Sequence, residues 1–254
     1  MDALALRFVI AAIILVPLAI RHRPWPSGRM WGYLVLAGVL DAAAYGFVYL
    51  GEERVPGGVA AVVYGTQPLI LALLLSVSRM ERITPRHLVG AVVSVVGVAV
   101  LFLDRLDVSP NQAVGVLMVM VSAVIATIYS MIMKRHVNHV HGLVSTAIFL
   151  AVTAIVLAIV AVVANKPLPW PLPMAPSLAL LYLAIVGSVV AFLVYFWLLK
   201  KTSLILTSTL VFTYPLVALA TDVLFEHDIA MGPRTYLGAA ITLAGLVVSI
   251  GRRS

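Results

Sequence analysis

Asp41 is the only charged residue in the apolar run 31–50, and it lies near the middle of that run. On an insertion scale a carboxylate there costs about 2.5–3.5 kcal/mol, so it must face protein or water rather than lipid. Gly38 precedes it by three residues, and Tyr45 and Tyr49 follow by four and eight. On a helix these positions share one face. A carboxylate flanked by phenols can hold an ammonium group or carry a proton. The plainer reading is a buried acid satisfied by tyrosine hydroxyls or an arginine and serving packing alone. Arg7 is the only basic residue well inside an apolar run. It either pairs with Asp41, which needs a favourable crossing of the two helices, or snorkels outward as an interfacial anchor.

Tyr64, Gln67 and Pro68 form a second cluster, and Thr213, Tyr214 and Pro215 occupy the corresponding place late in the chain. Proline inside a helix removes one backbone hydrogen bond and kinks the axis, freeing a carbonyl near Tyr64. Inside a membrane that is tolerated where neighbours or water satisfy the freed group. Two kinked helices can flex as gates at Pro68 and Pro215, or stand as static bends. Ser122, Ala126 and Tyr129 share one helical face, as do Ser188, Ala191 and Tyr195, and either face can line a cavity or meet an interface. The expected substrate contacts are therefore Asp41, Tyr45, Tyr49, Tyr64, Gln67, Tyr129, Tyr195, Thr213 and Tyr214. Asp222 and Glu226, four apart near the end of a run, read as water-exposed.

Other chemistry is thinly represented. His136, His139 and His141 stand in "KRHVNHVHG" with irregular spacing and no nearby carboxylate, which favours a solvated loop over a metal site. The chain has no cysteine, so disulfides and thiolate ligands are excluded. No phosphate-cradling loop, zinc-protease motif or nucleophile elbow is present. No metal or cofactor is expected, nor an enzyme, nor ATP-driven transport by this chain alone.

The elements that must position these residues are apolar. Hydrophobic residues make up 63% of the chain and charged residues 11%, with a mean hydropathy of +1.11. Soluble domains are roughly 45–50% apolar and about 25% charged. The fold class is all-α, a polytopic membrane protein. Nine runs approach the length that crosses hydrocarbon: 3–20, 31–50, 58–78, 87–103, 113–133, 143–164, 178–199, 204–225 and 235–251. Open strands would leave backbone groups unpaired in lipid, and barrel strands would alternate polar and apolar residues. The net charge of +7 sits in short loops, which argues topology and not nucleic-acid binding. Arg21, Arg23, Arg29, Arg79, Arg82, Arg86, Lys134, Arg135, Lys200, Lys201, Arg252 and Arg253 fall on one side. Arg7, Arg54, Arg105, Lys166 and Arg234 fall on the other. The positive-inside rule then places the C-terminus in the cytoplasm and residue 1 outside. The proline-rich "NKPLPWPLPMAPS" reads as an extended outer connector, with Trp170 at headgroup level.

The chain also repeats itself. Pro68, Pro85-Arg86, Gly90 and Gly97 return as Pro215, Pro233-Arg234, Gly238 and Gly245. Gly90, Ser94 and Gly97 form a small-residue stripe, matched by Gly238, Thr242, Gly245 and Ser249, and such stripes let helices approach closely. Overlaying the copies pairs the first four runs with the last four and leaves the run 113–133 unmatched. The expected plan is two inverted repeats of five spans, residues 1–110 and 111–254, with the first span of the first copy missing: four plus five of an ideal five plus five. In transporters built this way the cargo site lies at the seam.

These features resemble the EamA-type branch of the drug/metabolite transporter superfamily over nearly the whole chain. "LALRFVIAAIILVPLAI" is similar to that family's second helix, with Arg7 at the position of its characteristic arginine. "YGTQPLILALLLSVSRMERITPRHLVGAVVSVVGVAVL" is similar to its fourth and fifth helices, with Glu81 at its loop glutamate and Glu226 at the second. The resemblance implies a multi-pass protein of the cytoplasmic membrane. It would export amino acids or other small metabolites, with proton coupling through Asp41 an open option. The competing readings are a truncated, non-transporting product or assembly partner, and, with less behind it, a membrane-embedded enzyme.

Overall fold

The structure, a computed structural model, describes residues 2–55, 57–101, 112–164, 173–213, 216 and 233–250. The described residues are mostly helical and contain no strand. They form α1 (Asp2–Ile20), α2 (Arg29–Glu52), α3 (Gly57–Gly65), α4 (Gln67–Ser78), α5 (Pro85–Leu101), α6 (Ala113–His136) and α7 (Gly142–Ala164). Then come α8 (Met174–Ala184), a π-helical segment (Ile185–Val190), α9 (Ala191–Lys201), α10 (Leu204–Ser208), a 3₁₀ turn (Thr209–Phe212) and α11 (Pro233–Ile250). Among the described residues, six stretches are long and apolar enough to cross a membrane, including Val59–Ser78 and Met174–Lys201, and Pro85–Leu101 and Tyr236–Ser249 are shorter apolar helices. This is an all-α polytopic membrane protein. The expected run 204–225 begins where α10 does, and its second half lies outside the described residues, as do Asp222, Glu226 and Trp170.

The contacts divide the chain into two compact units. One comprises Met1–Gly46 and Ile128–Thr202, the other Phe47–Thr127 and Ser203–Ser254. In the first unit α1 packs along α7. The buried residues of α1, Ala5, Phe8, Ala11, Leu15 and Ala19, recur every three or four positions and so form one stripe. The N-terminal half of α7 is buried all round, from Val144 to Leu150, whereas Ile159, Val162 and Val163 are exposed. An apolar residue left exposed on a helix of this composition faces hydrocarbon rather than water. Two lysines close the end of this unit. The Lys134 ammonium donates to the Leu199 and Thr202 carbonyls, both at 2.6 Å, and the Lys200 ammonium donates to the Val140 carbonyl. Lys134 satisfies carbonyls at the C-terminus of α9, where a cation is also favoured by the helix dipole, and Lys200 ties the loop before α7 to α9.

In the second unit α5 and α11 lie against each other through their glycine stripes. A Cβ built on Gly90 would meet the Ser249 backbone at 2.6 Å and the Gly245 carbonyl at 2.7 Å. A Cβ on Gly97 would strike Thr242, and one on Gly238 would lie 2.8 Å from the Gly97 carbonyl. The contact is reciprocal. Gly90 meets the repeat counterpart of Gly97, and Gly97 meets the counterpart of Gly90. Such exchange is the mark of a self-complementary contact about a local two-fold axis. The Ser94 hydroxyl donates to the Thr242 carbonyl at 3.2 Å, and the Arg86 Nε donates to the Val248 carbonyl at 2.8 Å, so two polar bonds cross this contact.

Candidate functional site

Asp41 is 1% exposed, and its neighbours come from elements of the first unit. Gly38, one turn earlier on α2, brings the backbones of α2 and α7 together: a Cβ there would lie 2.7 Å from Val152 Cβ and 2.8 Å from the Phe149 carbonyl. That approach sets Thr153 of α7 beside the carboxyl group. The Thr153 hydroxyl lies 3.0 Å from Asp41 Oδ2, 3.0 Å from the Phe149 carbonyl and 3.2 Å from the Gly38 carbonyl. The Tyr129 hydroxyl acts on the same carboxyl group, and the Arg7 charge acts on it from farther off. Oδ1 is sealed from solvent and accepts no hydrogen bond among the described residues. A buried oxygen without a donor is costly.

Tyr129, whose hydroxyl acts on this carboxyl, belongs to an aromatic cluster. Tyr129 packs on Phe149 with ring centroids 5.4 Å apart, and Phe149 meets Phe192 at 5.5 Å and Phe196 at 5.0 Å. Tyr195 shares a hydrogen bond with Ser130 at 2.7 Å. Tyr45 meets Phe8 edge-on at 4.8 Å. The first unit thus holds Arg7, Asp41, Tyr45, Tyr129 and Tyr195 of the sequence-derived set.

Arg7 binds a backbone irregularity. Its Nε donates to the Ser188 hydroxyl at 2.7 Å and its Nη2 to the Gly187 carbonyl at 2.8 Å. Both acceptors lie in the π-helical segment Ile185–Val190. The guanidinium also stands over the rings of Phe8 and Tyr45, at 5.4 and 5.7 Å from their centroids. These directed bonds go to the π segment and not to Asp41. Pairing with Gly187 lacks any side-chain signal in the sequence. Thr153 was legible only as a hydroxyl within the apolar stretch "FLAVTAIVL".

The remaining expected residues belong to the second unit. Tyr64 shares a hydrogen bond with Ser122 at 3.1 Å. Gln67 is half-buried and Pro68 buried. Pro68 does not bend a continuous helix. Gly65 ends α3, Thr66 makes a turn, and Pro68 sits in the first turn of α4, where a missing N–H costs nothing. Thr213 follows the 3₁₀ turn and donates to the Leu210 carbonyl at 2.6 Å. Tyr214 and Pro215 lie outside the described residues. Tyr49 is 37% exposed, although it was placed on the Asp41 face. Each four-residue step rotates a helix position by about 40°, so two steps carry Tyr49 well around α2.

Histidines gather at one end of the first unit. His22 stacks on His141 with centroids 4.8 Å apart, and Tyr33 stacks on His136 at 4.0 Å. Among the described residues no three metal-ligating side chains converge.

The EamA-like transporter family matches residues 1–103 and 113–251 of the chain. An uncharacterized transporter of Clostridium kluyveri is 26% identical over 252 residues, spanning 95% of this chain and 80% of that one. Protein PecM of Dickeya dadantii is 27% identical over 229 residues, 88% of this chain and 74% of its own. The inner membrane transporter YedA of Escherichia coli is 30% identical over 218 residues, 84% and 69% respectively. A solved crystal structure shares the fold with a TM-score of 0.80 at 23% identity, covering 98% of this chain and 86% of that chain.

Proposed function

We propose a mechanism for this chain from one fact: it belongs to the EamA-like transporter family of the drug/metabolite transporter superfamily and is a membrane transporter. It is a secondary transporter of small metabolites, amino acids or related compounds, working by alternating access between two inverted repeats, residues 1–110 and 111–254. Asp41 is the loading group. The observation that carries this reading is its Oδ1, buried inside a membrane-crossing helix without a donor among the described residues. A substrate ammonium placed there supplies the missing partner, a proton on the carboxyl group removes its charge, and the departure of either restores the cost, so occupancy biases the surrounding packing. Tyr129 offers its hydroxyl to the same carboxyl, and Tyr45 and Tyr195 are the other phenols of this unit assigned to the substrate. In the second unit, Tyr64 and Gln67 flank the break between α3 and α4, and Pro68 makes that break a place where α4 can tilt without losing a backbone bond. Pro215 is assigned the same role in the second repeat.

The reciprocal packing of α5 and α11 supports descent from one duplicated unit, because each helix offers the other the stripe it receives. Loop charge supports a cytoplasmic C-terminus in the inner membrane. The driving force is a gradient, since the sequence lacks a nucleotide-binding loop.

The test begins with a thermal-shift screen of metabolites on the purified protein. The ligand that stabilises it is then followed in liposomes under an imposed pH gradient. Asp41→Asn is expected to abolish gradient-driven uptake. Equal uptake by wild type and Asp41→Asn at every pH would remove Asp41 from the mechanism.

A further inference from the structure

The Thr153 hydroxyl has one proton and faces three acceptors. Asp41 Oδ2 and the Phe149 carbonyl lie at 3.0 Å and the Gly38 carbonyl at 3.2 Å. One hydroxyl proton serves one of these well. The Phe149 carbonyl belongs to Thr153's own helix, four residues back. Gly38 and Asp41 belong to α2. The choice therefore decides whether the hydroxyl gives its proton to α2 or turns it back on α7.

We infer that Thr153 is a positioning residue that reads whether Asp41 carries a proton and passes that state to the contact between α2 and α7. The inference rests on Asp41 as the loading group. When Asp41 is a carboxylate, the charge-assisted bond wins and Thr153 donates to Oδ2. When a proton from water sits on Oδ2, the carboxyl O–H donates to Thr153 Oγ1. The Thr153 proton then turns to the Phe149 or Gly38 carbonyl. One proton is gained, two O–H groups point in new directions, and no other co-reactant is needed. The groups that face the pair from neighbouring helices are the Tyr129 hydroxyl of α6 and the Arg7 guanidinium of α1. The contact has no slack at this level. A Cβ on Gly38 would stand 2.7 Å from Val152 Cβ, so a change in the bond across it displaces packed atoms.

The test needs only protons as probe. Protein reconstituted in phosphatidylethanolamine–phosphatidylglycerol liposomes is taken through a pH jump and followed by infrared difference spectroscopy. The Asp41 carboxyl band is assigned by its loss in Asp41→Asn, and the Thr153 hydroxyl band by its loss in Thr153→Val. The two bands are expected to change together. The carboxyl band should shift in frequency in Thr153→Val and keep its place in Thr153→Ser, which retains the hydroxyl. A carboxyl band at the same frequency in wild type and Thr153→Val overturns the inference, as does a serine variant that behaves like valine. If Asp41→Asn removes no band, Asp41 takes up no proton, and its proton-loading role falls as well. If the band is present but indifferent to Thr153, only the reading of Thr153 falls.

Discussion

The Arg7 guanidinium of α1 holds the Gly187 carbonyl at 2.8 Å, inside the π-helical turn that divides α8 from α9. A second bond, to the Ser188 hydroxyl at 2.7 Å, fixes the same turn from the same side chain. π-helical turns are rare and cluster at functional sites, because their backbone bonding is less regular than that of the α-helix. Here a cation from another helix offsets that weakness. Arg7→Gln should lower stability by about 1.5–3 kcal/mol, the usual worth of a hydrogen bond to a charged group. Arg7→Lys should fall between, since an ammonium cannot reproduce the guanidinium fork. Unfolding of purified protein followed by circular dichroism measures the order. Equal stability of Arg7→Gln and wild type would show that the turn forms unaided.

The glycine stripe makes a sharper contrast. A Cβ on Gly97 would lie 2.5 Å from Thr242 Oγ1 and press on the Thr242 backbone, whereas one on Gly32 of α2 would meet nothing within 4 Å. Gly97→Ala should destabilise by about 1–3 kcal/mol through overpacking. Gly32→Ala should stabilise by about 0.5–1 kcal/mol, because alanine loses less backbone entropy on entering a helix. The two substitutions are chemically identical, so a difference of opposite sign isolates the close approach. Matching effects would mean that α5 and α11 are not in contact at Gly97.

The helical plan was legible because lipid allows little else. An apolar run with internal glycines and charged ends has one stable backbone form, and α1, α2, α6 and α7 lie within a few residues of the runs that foretold them. Asp41 was legible for the same reason, since an acid in hydrocarbon must be buried against protein. Its partner was not, because a hydroxyl in a span carries no sign of which helix it faces. The π turn was hidden too: its two Arg7 bonds join positions some 180 residues apart. At Pro68 the sequence marked a place where the helix is interrupted. It could not tell a kink from a fresh start, because that depended on the turn at Thr66.

Glu81 illustrates a residue whose place was readable and whose partner was not. Both its carboxylate oxygens lie 2.9 Å from the Leu204 backbone N–H, at the start of α10. The Ser203 hydroxyl accepts from Leu206 in the next position along. Glu81 is thus a cap supplied from a distant loop, with its negative charge at the favourable end of a helix. Glu81→Ala should cost about 0.5–2 kcal/mol, the range of cap removal. Glu81→Gln should cost less, since the amide oxygen still accepts. Chemical denaturation in mild detergent would measure both. Equal losses for glutamine and alanine would point to charge rather than the hydrogen bond.

The stacked pair His22 and His141 makes stability depend on pH outside the membrane-spanning segments. Partial burial, then the nearby His22 and the Lys200 ammonium, push the His141 imidazole below its ordinary value of 6.5. Lys200 is held in place by its bond to the Val140 carbonyl, and the His141 backbone N–H donates to the Pro24 carbonyl at 3.5 Å, so the ring cannot easily withdraw. A base whose folded value is depressed binds fewer protons folded than unfolded. Stability therefore rises with pH across the interval between the folded value and 6.5. The contribution is complete above that interval and is lost as pH falls through it. The unfolding temperature should drop as the solution is acidified below about 6.5, the reference value for an exposed histidine. His141→Phe keeps a ring for stacking and removes the titrating group, so its profile should be flatter over the same range. His22→Phe removes one of the three causes and should flatten it in part. A wild-type profile that stays level through this range, or that falls toward higher pH, would mean that the two imidazoles do not share the charge-sensitive contact described.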